Sequence, residues 1–452
     1  MSSEFISRLQ FAFTISFHIL FPAFSIGLAT FLAIMEGLWL KTKKPVYYQI
    51  CRFWIKVFAI TFGMGIVSGI VMEFQLGTNW SGFTRAVGPV LGSLFTYEVL
   101  TAFFIEAGFL GVMIFGWQKV GPKLHYLATL LVFVGVTLSA FWILSANSWM
   151  QTPAGTILRQ GEFVVQNWWD VIFNPSVIPR YLHMLLAAYV TTLFVIAGIS
   201  AYYLLKNQFT TFAKTCFSFA LWSLLILMPL QIWLGDEVGL KVHQYQPIKT
   251  AAIEGLWQTT RGAPLLLFAI PNSQANKNDL SIGIPHLASI INTHQWNGKL
   301  QGLTSVKPSK RPYVPIVFYS FRIMVGFGLL MLLASWIGLY LRLRKKLFTQ
   351  TQFLKFCVLL TPSGFIALLT GWFTAEAGRQ PWVVYNLLKT SDSASAITWH
   401  NVIISFLLLV IVYGLIFGVF YFRYLFRIIS RGPGNIEDII QPFAYLNPKE
   451  IN

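Results

Sequence analysis

Charge is scarce in this chain: Asp, Glu, Lys and Arg together make up 11% of 452 residues. A soluble domain carries roughly twice that share. At 56% apolar residues the chain would show large adhesive patches to water. Acid is scarcer than base, 16 Asp+Glu against 33 Lys+Arg, which leaves a formal charge of +17. In so apolar a chain that excess describes basic loops facing an anionic membrane surface, and no nucleic-acid partner is expected. Cysteine is nearly absent. Cys51, Cys216 and Cys357 stand far apart with no CxxC spacing, which excludes a disulfide framework and an iron–sulfur cluster. Residues 1–10 lack a basic n-region, and the apolar run behind them is long enough to span, so no cleavable signal is expected. Strand-like alternation is missing too, which excludes a membrane β-barrel.

Apolar length is what the chain has. Its mean hydropathy is +0.63. A membrane span needs roughly 20 apolar residues. About nine stretches meet that length, near 11–38, 53–74, 91–116, 124–146, 181–205, 215–234, 316–341, 353–375 and 400–427. The sequence therefore predicts an all-α integral membrane protein, in lipid, with about nine transmembrane helices, here called spans 1 to 9. Short basic connections fix its orientation. Lys41, Lys43, Lys44, Arg52 and Lys56 surround the first, Lys119 and Lys123 the third, Lys206 and Lys214 the fifth, and Arg342, Arg344, Lys345, Lys346 and Lys355 the seventh. These alternate connections share the cytoplasmic side, so the N-terminus lies outside and the C-terminus inside, behind Arg423, Arg427 and Arg431. The chain divides into residues 1–234 with spans 1–6, an external loop 235–315, and residues 316–452 with spans 7–9 and a cytoplasmic tail. Trp80, Trp149, Trp168 and Trp169 fall in outer connections, where interfacial anchoring is their ordinary role.

An ionisable side chain inside a span costs about 2.5–3.5 kcal/mol on insertion scales, so each is a functional candidate. His18 in span 1, Glu98 in span 3, His183 opening span 5, Arg322 and Met324 opening span 7, and Glu376 and Arg379 closing span 8 all fall toward the outer side. Residues from five helices converge on one layer, as a cofactor layer requires. His and Met are the pair that holds a six-coordinate haem iron and raises its potential. His183 and Met324 sit at matching depth on different helices, and His18 is a further candidate ligand. Glu98 and Glu106 are eight residues apart on span 3, about 12 Å along the axis. Two acids stepping inward through a membrane describe a proton relay or, as an alternative, a proton-coupled transporter.

Longer motifs sharpen this. Trp372 followed by Glu376-Ala377-Gly378-Arg379-Gln380-Pro381-Trp382 resembles the signature of cytochrome bd-type quinol oxidase subunit I. Glu73-Phe74-Gln75 with Gly77-Thr78-Asn79-Trp80 is similar to that family's second-helix motif. Asn147-Ser148-Trp149-Met150-Gln151-Thr152-Pro153-Ala154-Gly155 and Gln246-Pro247-Ile248-Lys249-Thr250-Ala251-Ala252-Ile253-Glu254 match as well. The resemblance covers nearly the whole chain. It implies a terminal oxidase of the bacterial inner membrane that oxidises quinol outside, reduces oxygen to water through three haems, and builds a proton gradient without pumping. It implies His183 and Met324 as ligands of a low-spin haem b. His18 and Glu376 would hold a high-spin haem b and a haem d, or a further haem b. Glu98 and Glu106 are implied on the proton path, Trp372 between haems, Arg322 and Arg379 close to haem groups, and Lys249 and Glu254 in the quinol-binding loop. A second subunit, and a small single-helix subunit, are the implied partners. The short loop after span 6 resembles the branch that includes cyanide-insensitive oxidases. Ala107 stands where relatives carry a hydroxyl residue, and Ser139 on span 4 is available in its place. Seven histidines are too few for a haem–copper oxidase, and no pair has the 13- or 14-residue spacing of a diheme cytochrome b.

Overall fold

The structure is a computed structural model that describes residues 2–434; the expected cytoplasmic tail beyond Gly434 lies outside the described residues. Among the described residues nine helices are long and apolar enough to cross a membrane. They are Ser3–Thr42, Pro45–Asn79, Ser81–Phe115, Pro122–Gln151, Trp168–Leu205, Thr210–Tyr245, Pro308–Leu343, Thr351–Arg379 and Trp399–Arg431. Each covers one expected stretch to within a residue and extends beyond it at one end or both, because polar and aromatic residues at the membrane surface still pair their backbone groups best in a helix. Arg423, Arg427 and Arg431 therefore lie inside span 9 rather than after it. Helix starts use Pro45 and Pro122, whose missing N–H costs nothing in a first turn.

Span 1 is interrupted at Ile19, between Ser3–His18 and Leu20–Thr42. Pro22 has no N–H to give the carbonyl of His18, so the ladder breaks beside a candidate ligand. Span 5 is the centre of the bundle: Val190 to Ala201 is buried without interruption. Spans 3 and 9 instead turn apolar residues such as Leu100, Phe104, Leu408 and Phe420 outward. Spans 1 and 2 are pinned by buried polar pairs, Gln75 Nε2 donating to Thr14 Oγ1 at 2.8 Å and Asn79 Nδ2 to Gln10 Oε1 at 2.8 Å. Half of the second-helix motif thus has a packing role.

The external connection begins later than Gly235, because span 6 stays helical to Tyr245. It holds a short helix, Pro247–Glu254, a hairpin of Leu265–Asn272 with Lys277–Ile284, and a second short helix, Leu287–Thr293. Of the four expected anchors, Trp168 and Trp169 are exposed, but Trp80 and Trp149 are buried in a satellite core with Phe83, Val87 and Phe163. Outer connections fold back over the bundle end there and enclose both rings.

The three cysteines are free and buried, which gives a clean background for labelling. Orientation is checked with a single new cysteine. Lys119→Cys should react with a membrane-impermeant maleimide only in inverted vesicles, and Asn276→Cys only in right-side-out cells. The opposite pattern would reverse the expected topology.

Candidate functional site

The site is built where spans 4, 5 and 8 meet the loop helix Pro247–Glu254. Glu376 Oε1 accepts from Asn147 Nδ2 and from Gln151 Nε2, each at 3.1 Å. Its other oxygen pairs with Arg379. Asn147 Oδ1 accepts from Arg180, whose Nε also donates to Ser148 Oγ at 3.1 Å. Gln151 Oε1 accepts from Lys249 Nζ at 2.5 Å and from Gln246 Nε2 at 3.0 Å. One network thus joins four elements around Gln151. It buries three cationic side chains, Arg180, Lys249 and Arg379, against one carboxylate. Burial, with Arg180 and Arg379 nearby and only Glu376 opposing, holds the Lys249 ammonium well below the usual lysine range. Nε and Nη1 of Arg379 are buried with no partner. The arrangement has room in its charge balance for about two more carboxylates.

Three of the candidate iron ligands share a feature that sequence does not show. His18, His183 and Met324 each sit against a glycine of a neighbouring helix. A Cβ on Gly69 would lie 3.3 Å from His18 Cε1, one on Gly235 3.3 Å from His183 Cε1, and one on Gly371 2.9 Å from Met324 Sδ. Ser68 Oγ lies 2.9 Å from His18 Nδ1 and 2.7 Å from the Met64 carbonyl. A hydrogen-bond partner on Nδ1 is the arrangement in which Nε2 serves as the metal-binding nitrogen. His183 Nδ1 is buried without a partner. Trp372 follows Gly371 and packs on the main core.

Lys249 and Glu254 do not face each other. Five residues on a helix turn about 140°, so they leave opposite sides of the loop helix. Lys249 points into the network above, with its stem on Gly378. Glu254 is buried on the other side, where Oε1 accepts from Asn292 Nδ2 at 2.8 Å and Oε2 lies 3.5 Å from Arg322. Burial pushes the Glu254 carboxyl above the usual range, and Arg322 and Asn292 pull against that. Arg322 stacks on Phe318 at 3.8 Å and donates to the carbonyls of Leu266 and Ile253. Met324, two residues further on, leaves a different side of span 7 and faces Gly371 of span 8.

Glu98 and Glu106 are separated by a π-helical turn, Val99–Phe103. On an ideal α-helix they would diverge by about 80°, and the one extra residue of a π turn brings them to within about 20°. Both consequently face span 4. Ser139 Oγ donates to Glu98 Oε1 at 2.7 Å. Glu106 packs on Gly135, one turn earlier, and its Oε1 is buried with no partner. The expected hydroxyl of Ser139 is therefore in contact with the acid pair.

Sequence reasoning missed Arg180 and the roles of Asn147 and Gln151. Arg180 precedes His183 by three residues, in a Pro- and Trp-rich stretch that passes for an external connection; a basic residue one turn from a candidate ligand was the available signal.

A nine-span helical bundle with His, Met and Glu side chains beside buried, under-neutralised cations defines a membrane haem protein. Comparison then gives the family: residues 6–433 match the model of cytochrome bd terminal oxidase subunit I, and the chain belongs to that family. It is 37% identical to "Cytochrome bd ubiquinol oxidase subunit 1" of Bacillus subtilis, over 96% of this chain and 94% of that one. It is 34% identical to "Cytochrome bd-II ubiquinol oxidase subunit 1" of Escherichia coli, over 91% and 93%. The bd oxidase from Geobacillus thermodenitrificans superposes with a TM-score of 0.89 at 28% identity, covering 96% and 99%. The chain is thus a bacterial membrane oxidoreductase, one subunit of a terminal oxidase that has at least a second subunit, and its cofactors are haems.

The glycine seats make a direct test. Gly235→Ala should shift the absorption of a haem held by His183 or lower its occupancy. Gly239→Ala, one turn along span 6 with nothing within 4 Å of its Cβ position, should leave the spectrum unchanged.

Proposed function

We propose that this chain binds three haems and quinol, and carries electrons from quinol at the outer face to oxygen, which becomes water. The observation that supports this best is the under-neutralised cation network around Glu376, together with the seating of the candidate ligands His18, His183 and Met324 against glycines of neighbouring helices. His183 and Met324 hold a low-spin haem b from spans 5 and 7. His18 and Glu376 hold two high-spin haems, one of them haem d or a further haem b. Bound haem supplies the electron-transfer and oxygen chemistry. The chain does the rest. Arg180, Arg379 and Lys249 supply the positive charge that haem propionates need away from water. The glycine seats fix ligand rotamers, and Trp372 fills the space between sites.

Quinol docks against the loop helix. Glu254 accepts a proton from it, with Arg322 holding the carboxylate in place. Lys249 acts from behind, as a charge in the Glu376 network. Protons for oxygen reduction come from the inner side through Glu106 and then Glu98. Uptake on one face and release on the other builds a gradient without a pump. A second subunit completes the enzyme, and a small single-helix subunit would cover exposed apolar surface such as that of span 3 or span 9. One relative is named a ubiquinol oxidase and another, 31% identical, a putative menaquinol oxidase, and turnover with each quinol distinguishes the two substrates.

A pyridine haemochrome spectrum of the purified oxidase should show haem b; a haem-free protein would overturn the reading. Met324→Leu should abolish the low-spin signal and leave the high-spin haems in place. An unchanged low-spin band would remove Met324 from the ligand set.

Glu254→Ala should slow quinol-driven turnover about a hundredfold while every haem remains bound. Normal quinol kinetics in that variant would place the quinol site elsewhere.

A further inference from the structure

A second buried polar cluster lies at the opposite end of the bundle, near the basic connections, and has no part in the reading above. His125 Nδ1 and Glu36 Oε1 are 2.6 Å apart, and Thr129 Oγ1 donates to Glu36 Oε2 at 2.6 Å. His125 Nε2 lies 3.1 Å from the carbonyl of Met113, and the ring rests on Trp117 at 4.0 Å. The side chains of Glu36 and His125 are each 2% exposed. Three spans contribute: span 1 gives Glu36, span 3 gives Met113, and span 4 gives His125 and Thr129.

The position of this cluster is informative. His125 is in the first turn of span 4, directly after the short connection that carries Lys119 and Trp117. Along span 4, His125, Thr129, Val132, Gly135 and Ser139 recur at helical spacing and form one face. That face meets span 3, where Met113, Glu106 and Glu98 lie in the matching order. Ser139 and Gly135 contact the two acids, and His125 and Thr129 hold Glu36 at the far end of the same seam. Between Thr129 and Gly135 the seam climbs about 9 Å. Buried Val132, Val136 and Met113 line that interval. Above it Glu106 keeps one oxygen buried and unpartnered. A seam with acids at both ends of an apolar interval, and an unsatisfied acceptor on its upper side, is arranged to deliver protons one at a time across a short gap bridged by transient water.

We propose that Glu36, His125 and Thr129 form the proton-loading site of this oxidase, taking protons from the inner face and passing them to Glu106. The Glu36–His125 pair accepts one proton from inner water. The proton leaves to the Glu106 carboxylate, and the pair returns to its starting state with no change in electron count. The alternative is that the cluster only ties spans 1, 3 and 4 together. The proposal rests on the relay through Glu106, so the experiment must separate the two.

The test uses the whole oxidase, all subunits present, reconstituted in liposomes with a pH dye on the inner-face side. Oxygen is pulsed onto the fully reduced enzyme, and proton uptake is timed in wild type, Glu36→Gln and Glu106→Gln, with haem content and thermal stability measured in parallel. Glu36→Gln keeps the hydrogen bonds of the cluster but cannot carry a proton. Uptake slowed about tenfold in both variants, with haem content and stability at wild-type values, is the expected result. Slow uptake in Glu106→Gln with normal uptake in Glu36→Gln overturns the loading site and leaves the relay standing. Normal uptake in both overturns the relay and the loading site together. If Glu36→Gln does not assemble, Glu36→Asp and Glu36→Asn take its place: uptake retained by Asp and lost by Asn supports the proposal, and equal uptake in the two overturns it.

Discussion

Burying three cationic side chains around one carboxylate is the costliest arrangement in this fold, and the outer half of the bundle is organised by it. Removing one partner from a buried ion pair costs about 3–5 kcal/mol. Arg180, Lys249 and Arg379 share Glu376, so the network is under-neutralised as the protein chain alone builds it. Two consequences follow. The elements that bring these charges together, spans 4, 5 and 8 and the loop helix, are locked in register by Gln151, which bonds to Glu376, Lys249 and Gln246 at once. And the site favours an anionic, water-excluding ligand over a neutral one, which is the requirement of a haem carrying propionates.

The second constraint is the apolar surroundings of span 3, which turns side chains such as Leu100 and Phe104 outward. Two acids in a lipid-facing helix must both turn inward, and on an uninterrupted α-helix residues eight apart would diverge by about 80°. The π turn at Val99–Phe103 solves the geometry at the cost of irregular hydrogen bonding, and it leaves the apolar side chains of Leu100 and Phe104 outside. Local helix irregularity and inward-facing chemistry are therefore one feature. The break of span 1 at Ile19, next to His18, has the same character: a proline frees backbone beside a candidate ligand.

Hydropathy made the nine spans legible, because lipid imposes a length on every helix that crosses it. Their ends were not, since Tyr245 and Arg431 continue helices past the point where apolar residues stop. The candidate ligands were legible as ionisable or soft side chains in apolar runs. Their glycine seats were not, because each glycine lies on a different helix from its ligand. Lys249 was expected in an exposed loop and is 2% exposed, a result of packing against Gly378 and Gln151 that sequence distance conceals. The Glu36–His125 pair is 89 residues apart in sequence. Glu36, an acid inside an apolar stretch, was the one available signal, and sequence reasoning passed over it.

Two of the polar territories of the bundle differ in kind. One is cation-rich and lies at the end covered by the loop helix; the other is a single line of acids, hydroxyls and one histidine between spans 3 and 4. The first suits bound anions and electron carriers, since fixed positive charge stabilises added negative charge without moving. The second suits protons, since its groups exchange a hydrogen without leaving their hydrogen-bonding positions. Val132, Val136 and Met113 interrupt that line, and spans 3 and 9 turn large apolar side chains such as Leu100, Phe104, Leu408 and Phe420 outward. An uninterrupted polar line would let protons leak across the membrane in either direction. An apolar interval allows transfer only when a water chain forms, so the same methyl groups that pack the core also restrict the traffic.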